Sequence, residues 1–412
     1  MSNKLDESNG GISRRGFLEC MAWLGTGAVW TMTGGVLRSE PLTNALALGK
    51  KSNDFTFVQI SDTHIGFSKD ANKDVISTLQ SSLSMIDALP VQPDLLLHTG
   101  DLTHLAKPEQ FDTLAQMLSS LRVKEQFFSP GEHDVASNNN EFLQRYGKKT
   151  KGDGWQSFDH KGVHFIGLVN VMNLKAGGMG SLGAEQLEWL ERDVKHISHS
   201  TPIVVFAHIP LWSVYPDWGW GTDDSAQALG YLKKFGSVTV LNGHIHQVMQ
   251  KVEGNVTFHT AMSTAFPQPK PGTAKSPGPM KVNDDALRTL LGTTTISRMS
   301  SDNMIAIVDR PIVSASGMMM KSDENHPMTS ADHTVTIDNF KFTPEVIEVA
   351  TGSTVRFLNK DDIPHQVVAN NNEFKSPLLD TDQFYDTTLT AKGVVKYYCS
   401  LHPKMTGEIH IL

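Results

Sequence analysis

Short apolar runs alternate with amphipathic stretches through the middle of the chain. Five of these runs are apolar enough to be buried strands: residues 54–61, 94–99, 126–129, 202–206 and 237–241. Apolar residues recur at helical spacing in four further stretches: residues 72–89, 107–121, 184–197 and 225–235. Strands that alternate with helices predict an α/β sandwich of mixed sheets flanked by helices. Another strand, at residues 303–308, is expected to complete a sheet.

The C-terminal part of the chain has a different pattern. Its apolar residues fall in seven short alternating segments separated by turn residues: 333–337, 346–349, 354–358, 366–368, 384–389, 393–398 and 407–412. This spacing is typical of an all-β sandwich. We therefore expect an α/β domain at residues 52–310, a linker at 311–331 and a β-sandwich domain at 332–412. Within the first domain, residues 267–279 are rich in Pro, Gly and Lys and predict an excursion or lid.

The N-terminal 47 residues are predicted to be an export signal. Ser13-Arg14-Arg15-Gly16-Phe17-Leu18 is a twin-arginine motif, and Ala45-Leu46-Ala47 is a small-residue cleavage site. The stretch between them, residues 21–37, is shorter than the roughly 20 apolar residues of a membrane-spanning helix. We expect cleavage after Ala47, a periplasmic or extracellular location and no membrane span in the mature protein. Retention of the segment as an uncleaved anchor is the alternative.

Composition narrows the range of partners. A chain of 412 residues predicts two or three domains, and a formal charge of −8 with 19% charged residues is typical of a soluble acidic protein. No cluster of Lys and Arg forms a stripe that would follow a nucleic-acid backbone. We therefore expect no stable nucleic-acid binding, and small molecules remain as substrates.

Polar blocks follow the five predicted strands of the α/β region. They are Asp62-Thr63-His64, Gly100-Asp101, Gly131-Glu132-His133-Asp134, Ala207-His208 and Gly243-His244-Ile245-His246. Side chains at strand ends meet at one edge of an α/β sheet. Carboxylate and imidazole ligands suit Fe, Mn and Zn, and two such ions about 3.5–4 Å apart can hold the attacking and leaving oxygens of a displacement. The blocks therefore predict a dinuclear hydrolytic site.

This set resembles the calcineurin-like metallophosphoesterases, whose blocks have the same order. The resemblance covers roughly residues 55–309, and it implies which side chains hold each metal. The first metal would be held by Asp62, His64, Asp101 and His246, and the second by Asp101, Glu132, His208 and His244. By the same resemblance, His133 would protonate the leaving alkoxide or stabilise the phosphoryl oxygens, and Asp134 would orient its ring.

Glu132 departs from the family pattern, which has Asn at this position. A third carboxylate lowers the formal charge of the site by one unit and opposes an approaching phosphate anion. Three outcomes follow: Glu132 ligates and trivalent iron restores the charge, Glu132 swings away and the second metal binds weakly, or the site loses hydrolytic competence. The intact remainder of the set favours the first outcome.

A second metal site is predicted near the C-terminus. Cys20 leaves with the signal segment, so Cys399 has no disulfide partner in the mature chain. It begins the sequence Cys399-Ser400-Leu401-His402-Pro403-Lys404-Met405, and His365 lies upstream. Thiolate, two imidazoles and a thioether are the ligands of a blue-copper site, with Zn or type 2 copper as alternatives. The segment resembles the cupredoxins, amicyanin in particular, which implies His365, Cys399, His402 and Met405 as copper ligands.

These sites together predict an exported phosphoesterase that hydrolyses small phosphomonoesters or phosphodiesters and carries a blue-copper electron-transfer domain with a periplasmic redox partner. The alternative is a copper electron-transfer protein whose α/β domain is a non-catalytic scaffold. A third interpretation couples the sites through an electron passed from copper to iron in the dinuclear site. The loop at residues 210–220, which carries three Trp and one Tyr, either lines the substrate cleft or packs on the sheet edge.

Overall fold

The computed structural model describes residues 28–33, 36–41, 54–135, 139–299, 304–312, 332–361, 363–371, 373–402 and 405–412. Residues Met1–Ser52 and Asn53–Leu412 form two compact units. In the first unit, strands β1 (Ala28–Thr33) and β2 (Val36–Pro41) pair antiparallel. The twin-arginine motif, the predicted cleavage site and residues 313–331 of the predicted linker lie outside the described residues.

The described residues of the α/β part of the second unit form eleven strands. In chain order they are β3 (Phe55–Ile60), β4 (Leu95–His98), β5 (Glu125–Phe128), β6 (Gln156–His160), β7 (Val163–Gly167), β8 (Ile203–Phe206), β9 (Val238–Asn242), β10 (Gln250–Glu253), β11 (Val256–Thr260), β12 (Gly292–Met299) and β13 (Met304–Pro311). They form a five-stranded sheet of order β13-β12-β3-β4-β5 and a six-stranded sheet of order β10-β11-β9-β8-β7-β6.

Helices cover the outer faces of the two sheets. They are α1 (Val75–Asp87), α2 (Pro108–Ser119), α3 (Glu132–Val135), α4 (Asn140–Tyr146), α5 (Ala184–Val194), α6 (Ser225–Leu232) and α7 (Asp284–Leu290). Three short 3-10 helices lie at Gly147–Lys149, Ala176–Gly178 and Pro216–Trp218. The predicted helices are therefore present, each shorter than its apolar pattern at one end or both.

Aromatic side chains fill the space between the two sheets. Phe57 from the first sheet contacts Phe165 from the second, with ring centroids 5.4 Å apart in an edge-to-face arrangement. Both rings are fully buried, which stabilises the fold by about 1.5–3 kcal/mol for each side chain relative to exposure. The parallel strands β3, β4, β7, β8 and β9 are buried along their whole length because each sheet is covered on both faces. The predicted α/β sandwich is confirmed.

The C-terminal part is an all-β sandwich, as predicted. Its strands are β14 (His333–Asp338), β15 (Lys341–Thr343), β16 (Val346–Val349), β17 (Thr354–Asn359), β18 (Val367–Ala369), β19 (Phe384–Thr388), β20 (Gly393–Cys399) and β21 (Thr406–Ile411). They form two four-stranded sheets of order β15-β14-β17-β19 and β16-β21-β20-β18. Phe357 and Tyr397 pack edge-to-face between the sheets at 5.0 Å.

Eight strands of the described residues have no counterpart in the sequence prediction: β1, β2, β6, β7, β10, β11, β12 and β15. Strand β12 reads Gly-Thr-Thr-Thr-Ile-Ser-Arg-Met, and its polar side chains are paired inside the protein. The Thr294 hydroxyl donates to Asp309 at 2.7 Å, for example. A strand whose buried positions are polar carries no hydrophobic alternation, so the pattern could not indicate it. Within the described part of the chain, no helix has the length and apolar character needed to cross a bilayer.

Candidate metal centres

The predicted hydrolytic residues lie where strands of the two sheets end. Asp62 and Asp101 follow β3 and β4, and Glu132 opens helix α3 after β5. His208 follows β8, and His244 follows β9. The first sheet thus supplies the carboxylates and the second supplies imidazoles. Their carboxyl-terminal edges meet, which brings residues up to 184 positions apart in the sequence into one cluster, as for an open α/β sheet.

The first predicted group lies together and is buried. The Nε2 atom of His246 is 3.2 Å from Asp62 Oδ1 and 3.2 Å from His64 Nε2. Asp101 Oδ2 is 3.5 Å from His64 Nε2. The nearest ligand atoms of Asp62, His64 and His246 all lie within 4.8 Å of one another, a spacing that one cation can span.

The second predicted group is built around Glu132. Its two carboxylate oxygens lie 2.9 Å from His208 Nε2 and 2.9 Å from His244 Nδ1. Asp101 Oδ2 is 3.3 Å from His208 Nε2, so this carboxylate faces both groups. The side chain of Glu132 therefore points into the cluster and does not swing away from it.

The donor set fits cations. Glu132 Oε2 and His208 Nε2 are buried 2.9 Å apart, yet neither makes a hydrogen bond of good geometry within the described part of the chain, which costs free energy unless something else satisfies them. His208 and His246 each direct their Nδ1 atom to a backbone carbonyl, at 2.7 and 2.6 Å, which leaves Nε2 facing the carboxylates. Burial lowers the pKa of His208, but Asp101 and Glu132 outweigh it and raise that pKa well above its usual value. A site with this much negative charge suits positive ions.

The backbone around the cluster adopts unusual conformations. Five of the seven predicted ligands have positive φ: Asp62 at 53°, His64 at 39°, Asp101 at 51°, His244 at 71° and His246 at 53°. Such conformations cost about 1–3 kcal/mol each and concentrate at functional sites. A Cβ atom on Gly131 would lie 2.0 Å from Asp101 Oδ1, so only glycine lets these loops approach so closely.

His133 lies beside the cluster, and its ring is held differently from the prediction. Its Nδ1 atom is 2.9 Å from the carbonyl of His104, and the two rings stack at 5.2 Å. Among the hydrogen bonds of the described residues, none joins Asp134 to that ring. Its buried carboxylate accepts the amides of Gly131, Leu102 and Thr103 at 2.8–3.0 Å. Asp134 thus ties the loop after β4 to the loop after β5, and the prediction that it orients His133 is corrected.

The charge state of His133 suits an acid. Burial lowers its pKa, but the carboxylates of Asp101 and Glu132 raise it further, so the net shift is upward from the ordinary value. The neighbouring His98 is different, since burial lowers its pKa to about 3. His98 Nε2 lies 3.1 Å from Thr63 Oγ1, so this buried histidine has a hydrogen-bond partner inside the protein.

A cleft of about 440 Å³ opens over the cluster. Its walls include Trp218 and Trp220 from the aromatic loop and residues 275–279 from the Pro- and Gly-rich excursion. Trp212 instead packs against Phe258 in the core, with centroids 5.1 Å apart. The aromatic loop therefore lines the cleft with Trp218 and Trp220 and packs on the sheet with Trp212.

The predicted copper ligands also lie together. Cys399 Sγ is 3.5 Å from the Nδ1 atoms of both His365 and His402, which are 3.3 Å apart. Cys399 ends β20, and the buried Met405 directly precedes β21. Burial raises the pKa of Cys399, but the two imidazoles lower it well below its usual value, which favours the thiolate that binds copper.

Two residues near these sites were missed by sequence reasoning. Asp361 accepts from His365 Nε2 at 2.8 Å, which leaves Nδ1 of that ring facing Cys399. Burial lowers the pKa of His365, but the charges of Cys399 and Asp361 outweigh it and raise that pKa to about 9. Asp380 lies 3.6 Å from His104 Nε2. An isolated Asp gives no signal of either role, because only the folded chain brings it to its histidine.

Both parts of the chain match known families. The sequence model of the calcineurin-like phosphoesterases matches residues 55–248, and that of the copper binding proteins of the plastocyanin/azurin family matches residues 329–412. A 3',5'-cyclic-nucleotide phosphodiesterase of Nostoc is 30% identical over 217 residues, which cover 51% of this chain and 79% of the relative. A probable glycerophosphodiester phosphodiesterase of Arcobacter nitrofigilis is 26% identical and is covered to 77% by 50% of this chain. Amicyanin of Paracoccus denitrificans is 33% identical over 87 residues, which cover 19% of this chain and 66% of the relative.

The contact between Asp361 and His365 generates a test of the copper site. Asp361→Asn removes the negative charge behind the imidazole, and we expect copper affinity to fall by about 10–100-fold, the usual effect of losing such a partner. Competition with a chelator measures the affinity. Asp338→Asn, an exposed change in the same domain, is the matched control. Equal copper affinity in Asp361→Asn and the native protein would contradict the assignment.

Proposed function

Because the chain belongs to the calcineurin-like phosphoesterase family and carries a C-terminal cupredoxin domain, we propose that it is an exported two-metal phosphodiesterase with a fused blue-copper electron carrier. One observation carries the hydrolytic part of this proposal. The side chains that the family pattern identifies as ligands converge from two sheets into one buried cluster, with Asp101 facing both halves.

Different residues of the chain have different roles in hydrolysis. When bound, two cations supply Lewis acidity at phosphorus and activate the attacking water. His133 lies at the rim of the cluster, and the carbonyl of His104 fixes its ring at 2.9 Å. Its raised pKa keeps a proton available for the leaving oxygen, so His133 acts as general acid. Asp134 acts as a positioning residue that holds the two loops together.

The substrate class is inferred from the relatives and the cleft. The two relatives of the α/β part are named as phosphodiesterases of cyclic nucleotides and of glycerophosphodiesters. In this chain, the half-buried ring of Trp218 lies in the cleft wall beside the metal cluster. An aromatic ring beside a phosphate site can stack on a base or an aromatic ester. We therefore propose a small phosphodiester with a planar group as substrate.

Glu132 determines which metals the site prefers. Burial raises the pKa of its carboxyl, but His244 and His208 lower it well below its usual value, so the side chain is ionised. With three carboxylates, two divalent ions leave a formal charge of only +1. One unit of charge at about 4 Å and an effective dielectric of about 20 is worth up to about 4 kcal/mol against an anion. Trivalent iron with one divalent ion (Fe, Mn or Zn) restores that charge.

The copper domain supports one-electron transfer by itself. The His365, Cys399 and His402 donors lie within 3.5 Å of one another, and soft thiolate donors favour copper. A periplasmic redox partner is part of this proposal. The same copper chemistry is expected if the α/β domain is only a scaffold, so metal content and hydrolysis at the α/β site decide between the two functions.

Export is proposed from the twin-arginine motif, since that route carries proteins already folded around their metals. We expect N-terminal sequencing of protein from the periplasmic fraction to begin at Leu48. A chain that keeps its first 47 residues and stays in the cytoplasmic fraction would contradict both the export and the cleavage site.

Metal content and activity of a Glu132 variant test the hydrolytic site. We expect two metals per chain in the α/β site of the native protein, iron among them, and turnover of an aryl phosphodiester. In Glu132→Asn we expect loss of iron in favour of divalent ions and a lower KM, because one negative charge is removed. Elemental analysis and steady-state kinetics measure both. Glu191→Asn, on an exposed face of α5, is the control. Sub-stoichiometric metal without turnover in the native protein would overturn the proposal in favour of the scaffold.

The leaving group tests the role of His133. In His133→Ala we expect hydrolysis to fall by about 10²–10⁴-fold for an alkyl phosphodiester and by much less for a p-nitrophenyl ester, whose leaving group needs no proton. His196→Ala, an exposed substitution, should behave as the native protein. Equal losses on both substrates, with metal content intact, would show that His133 is not the acid.

A further inference from the structure

One cleft joins the two metal centres. The cavity over the hydrolytic cluster is lined on one side by Asp101, Glu132 and His133, and on the other by the copper ligands His402 and Met405. His402 is only half-buried, so its ring is part of the cleft surface. An anion held at the hydrolytic cluster would therefore share its cavity with the copper site.

A charged contact spans the two walls of the cleft. Asp380, from the β-sandwich, lies 3.8 Å from Lys69 Nζ and 3.6 Å from His104 Nε2, both of which belong to the α/β part. His104 is completely buried, and the Asp380 side chain is 13% exposed, so solvent screens this contact little.

The same contact links ligands of both sites through adjacent groups. Leu379, next to Asp380, exchanges two backbone hydrogen bonds with His365, at 2.9 and 2.8 Å. On the other side, the backbone carbonyl of His104 accepts from the ring of His133, and the two imidazole rings stack. The copper ligand His365 and the hydrolytic residue His133 are therefore connected by a series of contacts through Leu379, Asp380 and His104.

From the shared cleft and this contact, we propose that phosphate binding at the hydrolytic cluster and the oxidation state of the copper are thermodynamically linked. The oxidised copper carries one more positive charge than the reduced copper, and it faces the cavity that holds the anion. Anions therefore bind more tightly to the Cu(II) form. Because coupling between two sites is reciprocal, bound phosphate stabilises Cu(II) and lowers the reduction potential of the copper.

The extra positive charge of oxidised copper sets the expected ratio between the two phosphate affinities. Two unit charges about 10 Å apart in an effective dielectric of about 20 change an equilibrium constant by about tenfold. We therefore expect phosphate to bind about tenfold more tightly to the Cu(II) protein than to the Cu(I) protein. For a one-electron couple, a tenfold ratio equals a 59 mV fall in the copper potential.

The experiment uses the full mature chain, with copper in the β-sandwich and zinc in the hydrolytic site. Zinc is chosen because it is redox-inert. The copper potential is measured by spectroelectrochemistry, with the electron supplied by the electrode, at increasing inorganic phosphate. Phosphate affinity is measured separately by calorimetry on the oxidised and reduced forms. A potential that falls with phosphate, with a matching ratio of affinities, supports the proposal.

Failure of this inference can be distinguished from failure of the proposed function, on which it rests. Phosphate that binds with equal affinity to both copper states, or more tightly to Cu(I), overturns the linkage and leaves the hydrolytic site intact. Phosphate that binds neither state overturns the hydrolytic site and the linkage with it.

A pair of matched variants tests the contact itself. Asp380→Asn removes the charge that faces His104 and Lys69 and so weakens the contact that keeps the copper side of the cleft beside the hydrolytic cluster. Because the interaction between two charges falls with their separation, we expect the affinity ratio to fall toward one while the Cu(II)-thiolate band is retained. Asp382→Asn makes the same chemical change two residues away, where the side chain is 71% exposed and pairs only with Lys360 among the ion pairs of the described residues. It should keep the native ratio. A native ratio in Asp380→Asn would overturn the role of the contact.

Discussion

Three carboxylates, two of them buried and one half-buried, lie side by side where the edges of two sheets meet. The arrangement of the α/β domain depends on what balances their charge. Buried charges are costly unless they are paired. Burial alone would raise the pKa of Asp62, but His246 and His208 outweigh it and lower it to about 2. The second sheet therefore supplies imidazoles to carboxylates of the first, and cations complete the balance. Without these imidazoles and cations, the free energy cost of placing Asp62, Asp101 and Glu132 so close together would be uncompensated.

The two metal centres differ in how much of the fold is needed to bring their ligands together. The copper donors come from one small sandwich, three of them from one short stretch of chain, and Asp361 fixes the fourth from the same domain. The hydrolytic cluster needs two sheets and five strand ends. Disturbing the packing between the sheets would separate its halves, whereas the copper site has its own core. The two centres meet at the cleft that they share and at the few groups that span the boundary, His104 and Asp380 among them.

Sequence was a good guide where a residue type and a strand end coincide. The family resemblance is confirmed for both parts of the chain, and the candidate ligands are close together as the block order implied. Sequence was a poor guide where the role of a residue depends on a contact with a residue distant in the sequence. Strand β12 is polar, so no apolar alternation indicated it. His133 takes its orientation from a backbone carbonyl, which has no sequence signature, whereas the family resemblance had implied Asp134. Asp361 and Asp380 become meaningful only once folding has brought their histidines near.

The left-handed backbone at the ligand positions constrains how this site can change over evolutionary time. A β-branched residue cannot occupy positive φ without strain, whereas Asn and Gly can. At Asp62 and Asp101 the conformation therefore accepts Asn or Gly most readily, whatever happens to metal binding. A descendant that lost its metals would be expected to drift first to those residues at these two positions, and its loops would keep the shape of a metal site after the chemistry had gone.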